Sequence, residues 1–251
     1  QHLQKRLSKA LFSLSEFPVY FFTTGLLIAE EHHKALITLR DEISTVIDVG
    51  ANKGQFFLSA RKYLKINSYY GFEPDLKSFK ILSQVTGRLG RNNIICSVNQ
   101  TLLSDVHKHV TFYRTLKSDC SSYLKPTSTI RFRHKTKVLA ESMMASSTID
   151  HEFEGLMLDG KCLMKVDTQG SELEILAGSI GLLQSRNVDY IYVEASNSDI
   201  YHGQCNISEL VTMLNDYGYH VNAIYNLSYI DDKIEYCDVL FKRASSFSQD
   251  D

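Results

Sequence analysis

The chain has no large excess of either charge, and that absence narrows its partners first. Its 27 Lys and Arg face 29 Asp and Glu, a formal net charge of −2 over 251 residues. Nucleic-acid binding is announced by a basic stripe, so no nucleic-acid partner is expected. Paired cysteines are missing too. Cys96, Cys120, Cys162, Cys205 and Cys237 are odd in number and form no CxxC spacing. Neither a disulfide framework nor a structural zinc is expected. Three of them lie in or beside apolar strand-like runs, which fits buried thiols in a reducing, cytoplasmic compartment. No apolar run is long enough to span a membrane. The nearest, Phe17 to Ala29, follows Lys5, Arg6 and Lys9 but is broken by Pro18, Thr23, Thr24 and Gly25. No small-x-small cleavage site follows it, which argues against a signal peptide. Residues 1–42 are instead expected to form a helical extension packed on the domain or on a partner. The chain shows no internal repeat, and it begins with Gln rather than Met, so a fragment of a longer protein stays open.

What is present centres on Val46-Ile47-Asp48-Val49-Gly50-Ala51-Asn52-Lys53-Gly54. This reads as an apolar strand, an acid, a glycine turn and a helix start. About 20 residues on, Tyr69-Tyr70-Gly71-Phe72 ends in Glu73. Strand, Gly-rich turn, helix, strand and acid is the layout of a nucleoside-binding unit. A dinucleotide fingerprint needs a middle glycine where Asn52 stands, and no Gly-Lys-Ser/Thr of a P-loop follows Gly54. The remaining pattern suits a ligand without phosphates, and S-adenosylmethionine (SAM) is such a ligand. Gly50 and Gly54 would let the backbone turn close to it. Glu73 would accept from the ribose hydroxyls, and Asp48 would favour the ammonium and sulfonium end. Adenine is expected near Asn99 and the turn Leu103-Ser104-Asp105, although Ser-Asp is also an ordinary turn pair.

Alternating strands and helices over residues 43–243 imply an α/β domain with a mostly parallel sheet and helices on both faces. Its size suits one sizeable core. The tail, residues 244–251, is expected to be disordered. Residues 114–136 are polar and Ser-rich, a long segment that suits a lid or substrate loop. The strand Cys162–Val166 ends in Asp167, and Tyr190–Val193 ends in Glu194. Ligands bind outside such strand ends. Asp167 is the first candidate for a base or for orienting an acceptor, with an Asx-type backbone bond as its structural alternative. Glu194 can hold an acceptor hydroxyl. His202 faces the same rim, with a surface role as its alternative. Ser171 with Glu174 fits a capping box. Asp167 with Glu194 could hold Mg²⁺, but no His-rich set supports this and no essential metal is expected.

Together these segments resemble the FkbM family of SAM-dependent methyltransferases. The resemblance rests on Ile47 to Phe56, Phe72-Glu73-Pro74, Met164 to Glu172 with Leu176-Ala177-Gly178, Tyr192-Val193-Glu194, and Cys237 to Phe241. Ser121-Ser122-Tyr123-Leu124 is similar to the family's Ser-Ser-Leu element with Tyr123 inserted. The resemblance implies a class I, Rossmann-like methyltransferase fold, with seven strands and the last antiparallel. It also implies O-methylation of a sugar, glycan or natural-product hydroxyl. Two rivals stay open: a non-catalytic SAM-fold domain within a larger assembly, and an NAD-dependent sugar oxidoreductase. The sequence leaves the oligomeric state undetermined.

Overall fold

The computed structural model describes residues 30–90, 94–128, 134–185 and 187–244. The expectations for residues 1–29 and for the tail beyond Ala244 lie outside the described residues. Among the described residues, ten strands form two sheets. Seven make the main sheet in the order β3-β2-β1-β7-β8-β10-β9, where β1 is Thr45–Val49, β2 Ser68–Phe72, β3 Ile95–Asn99, β7 Cys162–Val166, β8 Tyr190–Ser196, β9 Tyr219–Ile230 and β10 Lys233–Arg243. The other three, β4 (Leu102–Leu103), β5 (His109–Thr115) and β6 (Val138–Ser147), form a separate sheet in the order β4-β6-β5. Val110 to Tyr113 and Lys137 to Met143 read as strand-like in the sequence, but nothing there reveals that they build a second sheet. The chain divides into two compact units. One holds the described residues up to 102 with 158–161, the other residues 103–157 and those from 162 onward.

In the first unit β1 is buried at every position, as a central strand covered on both faces must be. It pairs in parallel with β2, Asp48 opposite Gly71 and Val49 opposite Phe72, and β2 pairs in parallel with β3. Helix α1 (His33–Thr38) buries Ala35 and Leu36. Just before and at its start, His32 meets Phe56 edge-on and His33 meets Tyr63. Those two aromatics belong to α2 (Gln55–Tyr63), which buries Phe56, Phe57, Leu58, Ser59 and Ala60. Helix α3 (Leu76–Leu89) buries Ser78, Leu82, Val85 and Thr86. Leu76, the first residue of the helix, is 47% exposed.

In the second unit β7 is also wholly buried and pairs in parallel with β8. Strand β10 runs antiparallel to both β8 and β9, so the last strand reverses direction as expected. β9 and β10 form one long hairpin whose two-residue turn, Asp231-Asp232, has positive φ at both positions, 46° and 64°. This is the signature of a type I′ turn. Short helices α4 (Ile149–Glu152), α5 (Glu172–Ala177) and α6 (Ile180–Gln184) and the longer α7 (Ile207–Asp216) complete the unit. All five cysteines carry free thiols, with Cys162, Cys205 and Cys237 buried. Among the described residues no helix is long and apolar enough to cross a membrane.

Candidate active site

The first unit shapes a turn at the carboxyl end of β1. The Gly50 and Ala51 N–H groups both donate to the Phe72 carbonyl, at 3.1 and 3.0 Å. Three residues of this turn have left-handed backbone: Gly50 at φ 75°, Asn52 at 47° and Gly54 at 93°. Gly54 is then the N-cap of α2, where an added Cβ would press to 3.3 Å from Leu82. At the end of β2, Glu73 is only 7% exposed. Its Oε2 accepts from the Asn52 N–H and its Oε1 from the Asp75 N–H, each at 2.8 Å. These two amides fix the carboxylate plane at the mouth of the turn. Asn52 Oδ1 is buried and has no hydrogen-bond partner among the described residues. A buried amide oxygen without a donor is costly, and a ligand N–H or O–H at this place would satisfy it. These acceptor oxygens therefore fit a nucleoside whose sugar diol and further polar hydrogens donate to them.

Asp48 was expected near the ligand's cationic end. Its side chain is fully buried and accepts from the Tyr69 hydroxyl at 2.5 Å. Burial first, and the Asp48 charge second, push the Tyr69 phenol well above its usual range. Asp48 thus sits behind the turn, locked to β2.

The second unit gathers the other acids. Asp167 directly follows β7, and Glu194 lies within β8, which runs on to Ser196 rather than ending at Val193. Gln169, at φ 61°, places its Nε2 3.0 Å from Asp167 Oδ1 and 2.8 Å from Glu194 Oε2 and donates to both. The Lys165 ammonium, its side chain 4% exposed, lies 3.5 Å from Asp167 Oδ2. Burial, and then the charges of Asp167, Asp238 and Glu172, push the Glu194 carboxyl well above the usual carboxylate range. The surroundings of the two carboxyls therefore differ: burial raises the Glu194 carboxyl, while Asp167 faces the Lys165 cation.

Glu172 closes the turn before α5, accepting from Thr168 N–H at 2.9 Å and Gly170 N–H at 3.1 Å. The expected capping box is absent. Ser171 makes no side-chain cap bond, because its hydroxyl turns back to Thr168, and Glu172 supplies the acceptor instead. His202 is exposed, and its backbone N–H donates to the Lys125 carbonyl. Ser104 is fully buried. Its hydroxyl donates to Asp105 Oδ1 at 2.8 Å and lies 3.2 Å from the Tyr123 hydroxyl. Asp105 in turn is ion-paired to Lys108 at 2.6 Å, which holds its carboxyl below the usual range.

The polar segment is not an unanchored loop through its described part. Ser122 pairs with Tyr113 through backbone bonds, Ser121 Oγ accepts from Thr115 N–H, and Thr127 N–H donates to the Ile200 carbonyl. Gln169, Lys165 and Tyr201 were given no role from the sequence. Lys165 carried a usable signal, a charge in the middle of an apolar strand on the same face as Asp167. Among the described residues no group of three or more His, Cys, Asp or Glu is placed to hold a metal.

A family model described as the methyltransferase FkbM domain matches residues 48–221, well over half of the chain. An FkbM methyltransferase from Methylobacillus flagellatus KT aligns with TM-score 0.50 and 16% identity, over 79% of this chain and 43% of its own. The chain thus spans less than half the length of that relative. The magnesium protoporphyrin IX methyltransferase ChlM of Synechocystis PCC 6803, solved with bound SAM, gives 0.43 and 11% over 90% and 94%. M. jannaschii TYW2, in complex with AdoMet, gives 0.43 and 13% over 85% and 75%. No curated protein sequence matches the chain. The chain belongs to the FkbM family of methyltransferases, a family that uses S-adenosylmethionine.

Proposed function

We propose that the protein methylates a hydroxyl oxygen of a sugar, glycan or other polyhydroxylated small molecule. When bound, SAM supplies a methyl group made electrophilic by its positive sulfur. In the first unit Glu73 holds the ribose hydroxyls, and Asn52 Oδ1 accepts from a polar hydrogen of the same ligand. Gly50 and Gly54 supply the left-handed turns that bring backbone close to it. Asp48 supports the turn through Tyr69 rather than by contact.

In the second unit Asp167 takes the acceptor's proton. A hydroxyl is a poor nucleophile until its proton leaves, and a carboxylate within hydrogen-bond reach provides for that. The single observation that carries the reading is the asymmetry of Asp167 and Glu194. Two carboxyls are bridged by one amide in unlike surroundings, with Lys165 beside Asp167 and burial raising the carboxyl of Glu194. Such a split assigns one group as base and the other as a neutral hydrogen-bonding partner. Glu194, holding its proton, can orient a neighbouring acceptor hydroxyl. Ser104 and Asp105 remain candidates for the adenine edge, within their chain to Lys108.

Two measurements test the reading. Calorimetry should show SAM binding that falls about 10- to 100-fold in Glu73→Ala, the loss expected for hydrogen bonds to a charged acceptor. Transfer of labelled methyl from SAM to a panel of sugars and polyols should fall about 100-fold or more in Asp167→Asn. Unchanged SAM affinity in a folded Glu73→Ala would overturn the donor assignment. Unchanged transfer in Asp167→Asn would overturn the base.

A further inference from the structure

Two side chains outside the carboxylate pair link it to the polar segment of the second unit. Gln169 occupies a left-handed backbone conformation that is uncommon for a residue with a side chain. There its amide donates to Asp167 Oδ1 and to Glu194 Oε2. Its Oε1 faces the Tyr201 hydroxyl at 3.3 Å, and the same hydroxyl lies 2.8 Å from the Cys120 carbonyl. Tyr201 therefore shares one proton between the two oxygens, a three-centre bond. A primary amide has donors only on nitrogen and acceptors only on oxygen. The phenol proton thus selects the orientation in which the NH₂ group faces the carboxylates. The surroundings leave little slack. Tyr201 is 2% exposed. A Cβ on Gly170 would lie 3.2 Å from Tyr201 Cδ2 and 3.3 Å from Leu124 Cδ1.

We propose that Tyr201 and Gln169 are positioning residues, a relay that couples the seating of the Ser118–Leu124 segment to the protonation of the Asp167–Glu194 pair. The proposal rests on reading that pair as the acid–base site. With the segment seated, Cys120 and Gln169 hold Tyr201 between them, and the amide NH₂ stabilises negative charge on the pair. With the segment lifted, Tyr201 loses its carbonyl partner, the amide can turn, and the pair loses a donor and binds its proton more tightly. An acceptor that presses the segment into place thereby prepares the base. Among the described residues, the other charged or titratable groups facing the pair include Lys165 from β7, Glu172 from α5, Tyr192 from β8 and Asp238 from β10. Lys165 is the one cation among them, so a neutral amide that donates to both carboxyls has a large share in setting their balance.

The test needs neither methyl donor nor acceptor. Side-chain carboxyl titrations are followed by ¹³C NMR in the parent, Tyr201→Phe and Gln169→Met, with Glu194→Gln to assign the pair's signal. The pair's midpoint should move up in Gln169→Met, and by less in Tyr201→Phe. Alkylation of Cys120 by N-ethylmaleimide should quicken in Tyr201→Phe, with Cys96 as internal reference. Thermal melts establish that each variant is folded, and if Tyr201→Phe does not fold, Gln169→Met decides on the midpoint alone. Folded variants with an unmoved midpoint overturn the relay. A midpoint that moves in Gln169→Met but not in a folded Tyr201→Phe, with Cys120 alkylation unchanged, overturns the coupling to the segment. If the midpoints and alkylation behave as expected while SAM fails to bind, the functional reading falls and the relay stands. If methyl transfer is found and the midpoints do not move, the relay falls alone.

Discussion

A lysine in the middle of a buried strand has few physical solutions, since an unpaired ammonium cannot stay charged in the interior. Lys165 meets this by lying beside Asp167, two residues on and therefore on the same face of the chain. That pairing was open to reading in Met164-Lys165-Val166-Asp167, although Lys165 was given no role there. Gln169 was not, because its value lies in a left-handed backbone conformation and in contacts to residues 25 and 32 positions away. Spacing along a sequence does not report either. Glu172 shows a similar gap: nothing in its spacing announces its burial. Burial raises its carboxyl to about 7 from 4.5, against the opposing pull of the Thr168 and Gly170 amides. The folded state thus holds this proton more tightly than the unfolded chain. The resulting stability is fully present below pH 4.5 and is lost as pH rises through about 7. Glu172→Gln keeps an acceptor for both amides and removes the titration. The stability of the parent relative to Glu172→Gln should fall by up to a few kcal/mol across that window. Urea unfolding midpoints at a series of pH values check this, and a pH-independent difference would refute the burial argument.

Elements were easier to read where periodicity is strong and harder where turns use unusual residues. The buried strands β1 and β7 and the helix α3 stand out by continuous or three-to-four spaced apolar residues. The sequence pattern marks only Tyr219 to Ile224 and Cys237 to Phe241 as strand-like, short of the full β9–β10 hairpin. Its turn is Asp-Asp rather than the Asn-Gly or Asp-Gly that signals a type I′ hairpin, and its outer half exposes Leu227 and Tyr229. The three-stranded sheet escaped for a related reason. Leu139 and Met143 of β6 are exposed, so no clean alternation marks a buried face, and the antiparallel partner β5 lies across a long polar segment. Helix α3 carries a side-chain cap that was not read from the sequence. Asp75 Oδ1 accepts from the N–H groups of Lys77 and Ser78, each at 3.0 Å. Asp75→Ala should cost about 1 kcal/mol of stability, the usual worth of such a cap. Its backbone N–H, which holds Glu73 Oε1, remains in the variant. SAM affinity should therefore fall less than in Glu73→Ala. Chemical denaturation with calorimetry separates the two effects. An equal loss of affinity in both variants would mean that the cap, not the carboxylate, governs the donor site.

At the scale of the whole molecule, the arrangement of acids at strand ends was the most informative pattern. Four carboxylates placed at or next to the ends of parallel strands pointed to a ligand-binding α/β fold. The strand order of the main sheet, the reversal of β10 against β8 and β9, and the family match over residues 48–221 agree with that reading. The first glycine loop alone left the nucleoside open between SAM and NAD, because both place a ribose against an acid after the second strand. The difference is the pyrophosphate, which needs a glycine where Asn52 stands. Asn52 instead brings a side chain whose oxygen is buried without a partner. A dinucleotide would have to displace that side chain, whereas a sulfonium nucleoside could supply it with a hydrogen. Ligand-linked stability turns this into a measurement on the intact chain. A ligand at a hundredfold excess over its Kd stabilises the folded state by about 2.7 kcal/mol. For a chain of this size that raises Tm by roughly 5–10 °C. S-adenosylhomocysteine should produce that rise, NAD at the same concentration should produce none, and the rise should shrink in Glu73→Ala. A shift with NAD and none with S-adenosylhomocysteine would transfer the turn around Asn52 to dinucleotide chemistry.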